Sequence, residues 1–327
     1  MADHVRWGIM GAAKFARDHM GPAIHMAQRG ALAAVASSSA EKAAPFVART
    51  PGVRVLSSEN DYEALISDPE IDAIYIPLPN HLHLEAALRA VAAGKHVLVE
   101  KPLAMRADGF DPLILERDRQ GKLVAEAYMI VHHPQWQKVR ELVQGGEIGK
   151  LVRVSGAFSY DNRADTANIR NKPETGGGAI PDIGVYIYGA TRFVTGEEPQ
   201  EILSAEIVRE NGVDVWSHIT ARFPSFHYTG LVSMRMSPWQ DMTFHGEKGL
   251  IRLTAPFNAQ VYGEARIELH RPAHEVVEWR FPAANHYVNQ VEAFNASVLD
   301  GVDYPCPLEF SRGTQAMIDM VWAKEAG

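Results

Sequence analysis

Val97-Leu98-Val99-Glu100-Lys101-Pro102 is the stretch whose reading decides the fold. Three successive apolar residues, closed by a charged pair and a proline, read as a short strand buried on both faces, the kind found in parallel sheets covered by helices. In open sheets of that type ligands collect beyond the carboxyl ends of the strands, so Glu100 and Lys101 stand where a ligand would lie. Pro102 has no amide donor and disfavours the helical region for the residue before it. Lys101 therefore leaves the strand extended. The plainer alternative is a strand end that carries two solvated charges.

Working outward, the first 120 residues alternate strands with helices. Val5 to Met10 reads as a strand, Gly11 to Lys14 as a tight turn, and Phe15 opens a helix that Gly21-Pro22 breaks or kinks. Strands over Leu32 to Ala36, Val53 to Leu56 and Ala73 to Pro77 are separated by helices over Glu41 to Ala48 and Asp61 to Ile66. A further helix, His83 to Ala93, carries Leu84, Ala87, Leu88 and Val91 along one side. This alternation predicts a doubly wound parallel sheet over residues 1–123. Residues 124–327 read differently: after a helix over Pro134 to Gln144 come strands with period-two alternation at Leu151 to Tyr160, Val215 to Phe223, Tyr228 to Met236, Leu250 to Leu253 and Val276 to Phe281. That pattern predicts an α/β domain with an open, mostly antiparallel sheet, closed by helices at Tyr287 to Asp300 and Leu308 to Lys324. The last helix is expected to pack back on the first domain.

Composition bounds the class. A hydrophobic content of 46% over 327 residues supplies ample core, and a formal net charge of −8 argues against nucleic acid or an anionic membrane as the main partner. A small-molecule ligand fits better. One cysteine, Cys306, rules out an intramolecular disulfide and fits a reducing cytoplasm. Neither CxxC nor HExxH spacing occurs, so no metal is expected.

Several stretches carry chemistry. WGIMGAAKFA puts Gly11 at the first position of a G-x-G-x-x-G turn, with Ala13 and Ala16 at the second and third. Backbone donors at the helix start, over Ala13, Lys14 and Phe15, would face a pyrophosphate. The second strand ends in Ala36-Ser37-Ser38-Ser39 with no acid at its tip to hold a ribose 2′-hydroxyl. Ser37, Ser38 and Lys42 suit a 2′-phosphate instead, which favours NADP(H) over NAD(H); otherwise the serines cap a helix. Pro77, Leu78, Asn80 and His83 follow the next long strand at the same edge and are expected against ribose or nicotinamide, together with Glu100 and Lys101. In Asn168-Ile-Arg-Asn-Lys-Pro-Glu-Thr-Gly-Gly-Gly-Ala-Ile-Pro-Asp-Ile-Gly-Val-Tyr186, three glycines allow a backbone too tight for side chains. If the segment beyond them is helical, Asp182 and Tyr186 share a side. A phenol with an ordinary pKa of about 10 needs a neighbouring positive charge to act as acid or base near neutrality. Tyr188 reads as a structural tyrosine.

Taken together, Glu100-Lys101-Pro102, the Pro-Asn-His-Leu-His loop and the G-G-G-A-x-x-D-x-G-x-Y run resemble the glucose-fructose oxidoreductase and inositol dehydrogenase (Gfo/Idh/MocA) family over essentially the whole chain. The opening turn, Asn168 to Pro173 and tyrosine at 186 are similar to its branch of xylose dehydrogenases, anhydrofructose reductase and dimeric dihydrodiol dehydrogenase. The resemblance implies an N-terminal Rossmann domain, a C-terminal domain whose sheet joins subunits as a homodimer or homotetramer, and a sugar or cyclic polyol as substrate. It also implies that Lys101 orients the substrate hydroxyl and the nicotinamide, that Asp182 contacts substrate and that Tyr186 shuttles the proton. Tyr160, Asn168 and Arg170 are candidate substrate contacts because they flank or precede the glycine run. Ala13 departs from the fingerprint, and Gly109-Phe110-Asp111-Pro112 interrupts an expected smooth helix. The expected activity is hydride transfer between a nicotinamide and a sugar or polyol carbinol. A cofactor-binding regulator without turnover, and a glycosidase using transient oxidation by NAD, are the alternatives.

Overall fold

The computed structural model describes residues 3–50, 52–57 and 61–325. Short apolar runs pair as a six-stranded parallel sheet made of β1 (Val5–Met10), β2 (Gly30–Ala36), β3 (Arg54–Leu56), β4 (Ala73–Ile76), β5 (His96–Val99) and β6 (Val124–Glu126). Their order is β3-β2-β1-β4-β5-β6, so the direction of winding reverses at β1 and β4. Ligands bind at such a switch point. Val97, Leu98 and Val99 are all fully buried, as a strand covered on both faces requires; each contributes roughly 1.5–3 kcal/mol of transfer free energy. The helix after β1 absorbs Pro22 without breaking: Ala16–Met20 is wound as a π-helix and passes directly into the α-helix Gly21–Met26, with the proline in its first turn. Gly109-Phe110-Asp111-Pro112 is likewise a beginning rather than an interruption, since the 3₁₀ turn Ala107–Gly109 leads into the α-helix Phe110–Gln120.

The chain divides into two compact units, one of Met1–His132 with His286–Ser311, the other of His133–Asn285 with Arg312–Gly327. The expected division fell after residue 123. The first unit instead takes in β6, which pairs with β5, and the helix His286–Asp300. A buried indole explains the second addition. Trp7 is fully buried on β1 and donates its Nε1–H to Asn295 Oδ1 at 2.9 Å, while Phe294 packs on its ring at 4.8 Å.

In the second unit β7 (Leu151–Asp161), β8 (Glu201–Glu210), β9 (Val213–Arg222), β10 (His227–Ser233), β11 (Arg235–Gly246), β12 (Leu250–Leu253), β13 (Arg266–His270) and β14 (Val276–Arg280) form one sheet. The order is β14-β13-β12-β11-β7-β10-β9-β8, and only β7 and β10 pair in parallel. The alternation on β9 holds: Val215, Ser217, Ile219 and Ala221 are buried, and Trp216, His218 and Thr220 lie on the other, partly exposed side. Three strands escaped the sequence reading as separate elements. Tyr228 to Met236 is not one strand, because the chain turns at Met234 into β11, and β8 and β13 carry too many charges for a clear apolar period. A turn signal was there for β8: Asn211-Gly212 joins it to β9 with φ of +51° and +85°, the two positive values of a tight hairpin turn.

Candidate active site

The carboxyl edge of the first sheet is built from loops that follow β1, β2, β4 and β5. Gly11 takes φ +111°, and a Cβ added there would meet Leu78 Cδ2 at 2.9 Å. The turn after β1 and the loop after β4 are thus in contact, and only a glycine lets them close. First-turn amides of the helix beyond Ala13 have no partner within that helix, and Lys14 is exposed beside them. At the end of β2 the three serines divide their work. Ser39 caps the helix Ala40–Arg49, its Oγ accepting from the Lys42 amide at 3.2 Å. Ser37 is buried and its Oγ accepts from the Ser39 amide at 3.4 Å. Ser38 and Lys42 are left exposed at the rim. A glycine cradle, helix-start donors and an exposed hydroxyl and ammonium at the second strand fit a dinucleotide.

His83 was expected against the cofactor, but its imidazole is 1% exposed and faces inward. Its Nδ1 lies 2.8 Å from the Pro102 carbonyl oxygen and its Nε2 2.6 Å from that of Leu78. Burial holds its pKa below the ordinary value, against the pull of both carbonyls. The ring is a strut between the loops after β4 and β5. Asn80 opens the 3₁₀ turn Asn80–Leu82 and is half-buried, as is Leu78, while Pro77 is buried.

Beyond β5, Glu100 and Lys101 are half-buried, and the Lys101–Pro102 peptide is cis. Tyr75, fully buried on β4, donates its hydroxyl to Glu100 Oε1 at 2.6 Å. The carboxylate of Glu126, 3% exposed at the end of β6, accepts the Leu103 amide at 2.8 Å through Oε1. Burial pushes this carboxyl up, and the Leu103 amide, the Ser311 hydroxyl and the Lys101 ammonium each pull it back. The lysine turn is therefore held from both neighbouring strands.

In the second unit the glycine run behaves as its composition demands. The amides of Gly177 and Gly178 donate to the carbonyls of Lys172 and Arg170, each at 3.0 Å, and a Cβ on Gly177 would lie 2.5 Å from the Arg170 carbonyl oxygen. The next residues start a continuous helix, wound as a π-helix over Ile180–Gly184 and as an α-helix over Val185–Thr195. Asp182 on the first part is 8% exposed. Its Oδ2 accepts the Tyr160 hydroxyl at 2.6 Å and lies 2.8 Å from Arg170 Nε. The Asp182 charge holds Arg170 well above its ordinary pKa, and burial with that charge pushes the Tyr160 phenol far up. Tyr160 is thus a neutral donor. Asn168 does not join them: its Oδ1 accepts the Arg170 amide at 3.0 Å and its Nδ2 donates to Asp165, which caps the turn Ile169–Asn171. Tyr186 is 7% exposed and packs against Phe158 at 5.8 Å and Phe257 at 5.6 Å, which themselves stack at 5.1 Å. Tyr188, two residues on, is fully buried, and burial raises its phenol.

Sequence reasoning missed Phe158, Phe257, Glu126 and Asp214. Only the acids left a signal, since a lone carboxylate in Val124-Ala-Glu-Ala-Tyr-Met-Ile-Val131 or in Val213-Asp-Val-Trp216 needs buried partners. Among the described residues, no helix is long and apolar enough to cross a membrane, and no cluster of three His, Cys, Asp or Glu side chains is placed to hold a metal ion.

Residues 5–128 match the model of the oxidoreductase family with an NAD-binding Rossmann fold, and residues 136–252 that of the GFO/IDH/MocA C-terminal domain. A dTDP-3,4-didehydro-2,6-dideoxy-alpha-D-glucose 3-reductase from Saccharopolyspora spinosa is 33% identical over all of this chain and 97% of its own. D-xylose 1-dehydrogenase (NADP(+)) 2 from Haloferax volcanii is 30% identical, covering 97% of this chain and 96% of its own. The crystal structure of a 3-ketoreductase from Actinomadura kijaniata in complex with NADP and TDP-benzene superposes with a TM-score of 0.90 at 27% identity, covering 98% of each chain. Since each half of the chain matches its own family model across the very loops that carry Gly11, Lys101 and Tyr186, the protein belongs to the Gfo/Idh/MocA family of oxidoreductases.

Proposed function

We propose that the protein is an NADP(H)-dependent oxidoreductase acting on a hydroxyl-bearing or keto carbon of a sugar or related cyclic polyol. The Tyr160–Asp182–Arg170 cluster carries the reading. A phenol and a guanidinium converge on one nearly buried carboxylate, on the helix that also bears Tyr186. A fixed set of donors and acceptors at the margin of an apolar core suits a ligand covered in hydroxyls. The Saccharopolyspora spinosa and Haloferax volcanii relatives, one acting on a keto sugar and one on a free sugar, fit the same substrate class.

A bound nicotinamide supplies the hydride acceptor in oxidation and the donor in reduction. Tyr186 holds the mobile proton at its phenolic oxygen, taking it from the substrate hydroxyl or returning it to the keto oxygen. Phe158 and Phe257 fix the plane of its ring. Lys101, as the family resemblance implies, orients the reacting oxygen of the substrate. Arg170 and Tyr160 keep Asp182 aimed at a neighbouring hydroxyl. Ser38 and Lys42, exposed at the end of β2, support a 2′-phosphate and so NADP(H). The reading also carries a cytoplasmic setting and self-association through the outer side of the eight-stranded sheet, as a homodimer or homotetramer.

Nicotinamide absorbance, followed with NADP and with NAD over a panel of free sugars, polyols, nucleotide-linked keto sugars and aryl glycosides, tests the proposal. A net change with a sugar is expected, with NADP favoured by about 10-fold or more, the worth of one charge-assisted contact. Tyr186→Phe should lower kcat by about 10²-fold or more, and unchanged turnover would remove Tyr186 from the mechanism. Aryl glycoside cleavage without net absorbance change would point to the glycosidase.

A further inference from the structure

Asp214, the second residue of β9, is 2% exposed. Its Oδ2 accepts the Ile180 amide at 2.6 Å, and the Ala179 amide and its own amide also donate to the carboxylate. Its Oδ1 occupies the side-chain space of Gly178, where an added Cβ would lie 2.0 Å away. This carboxylate thus excludes a side chain at Gly178, whose φ is +132°, and anchors the start of the helix. Asp182 follows the anchored amide by two residues and Tyr186 by six. A negative charge at this point also faces the positive end of the helix dipole.

Few other charges reach it. Arg209, its cross-strand neighbour on β8, draws the carboxyl down, but its guanidinium is shared with Glu325 of the last helix at 3.0 and 2.6 Å. The Tyr188 phenol faces it from the helix above and stays neutral. Burial prevails and pushes Asp214 up to about 6.

We propose that Asp214 is a positioning residue for the reaction, its carboxyl group fixing the glycine turn and through it the placement of Asp182 and Tyr186. The effect on turnover rests on the function proposed above; the effect on the turn does not. Burial raises this carboxyl in the folded chain, so protonation favours the closed turn and ionisation works against it, and the segment from 178 to 186 loosens as pH rises through about 6.

Amide hydrogen exchange of the full-length protein, corrected for intrinsic pH dependence, tests the brace without any ligand. Protection of residues 178–186 should fall about tenfold between pH 5 and pH 7, as the protonated fraction does, and Asp214→Asn should flatten that course. Wild-type protection that ignores pH over this range overturns the proposal, as does an unchanged course in Asp214→Asn. With D-xylose and NADP as the probe pair, kcat should decline on the alkaline side of about pH 6 and lose that limb in Asp214→Asn, while KM for NADP stays put. A limb that survives the substitution also overturns it. Absence of wild-type turnover on any sugar counts against the proposed function alone, because the exchange experiment still reads the turn.

Discussion

The turn after β5, which carries Lys101, and the helix after the glycine run, which carries Tyr186, are each backed by a buried carboxylate, and the two carboxylates do different jobs. Glu126 accepts one amide, that of Leu103, from a strand already hydrogen-bonded to β5. Lys101 stands where it does mainly because a buried strand ends there and a proline forbids the helix from starting. Asp214 comes from β9, some thirty residues beyond the turn it holds, and fills the space that a side chain at Gly178 would need. One support stiffens a geometry that the local chain has chosen; the other chooses it. Reach along the chain, rather than burial or charge, separates a brace from a mould.

The most forceful way to break this contrast is to compare glycine substitutions in the two units. Both substitutions must adopt a positive φ, +132° at 178 and +111° at 11, but Gly178→Ala must also move a buried carboxylate, whereas Gly11→Ala meets only the tip of a leucine. Thermal unfolding should show a loss of about 3 kcal/mol or more for Gly178→Ala and about 1–2 kcal/mol for Gly11→Ala. Equal losses would mean that Asp214 yields as easily as Leu78. Next in size is Glu126→Gln. Its carboxyl is raised in the folded protein above the ordinary value, so it favours the fold while protonated, and that contribution is lost as pH rises through the folded value. Glutamine keeps an acceptor for Leu103 without the buried charge, and the variant should melt about 2–4 °C above wild type at pH 8 and close to it at pH 4. A lower melting temperature at pH 8 would show that the charge itself secures the lysine turn. Least disruptive is Ser39→Ala, which removes a helix cap that aims nothing. It should lower stability by about 1 kcal/mol and leave turnover unchanged.

The same division marks what could be read from the chain alone. The parallel sheet was legible because most of its strands are short apolar runs and every consecutive pair but β3 and β4 is adjacent in space, and β1 coincides with its expected bounds at Val5–Met10, whereas β6, three residues ending in Glu126, was not read as a strand. Lys101, Asp182 and Tyr186 were singled out because a strand end and a glycine run mark a candidate edge. Tyr160, Arg170 and Asp182 do converge, yet Asn168 is occupied with its own turn and His83 with two carbonyls, roles that depend on partners up to nineteen positions away. The first unit's claim on His286–Ser311 rests on Trp7 finding Asn295, 288 residues away, and no local pattern encodes that pairing. Asp214 and the Phe158–Phe257 pair escaped for the same reason: each is an ordinary strand or loop residue until the fold brings it to the helix.

The inward-facing imidazole of His83 has a mechanical consequence. With one nitrogen on Leu78 and the other on Pro102, and Leu78 itself pressed against Gly11, three loops from separate strands are linked in series through a single ring. A displacement of the loop after β4 would bear on the residue adjoining Lys101, so that under the proposed function the nucleotide cradle and the aim of the lysine are joined rather than independently adjusted.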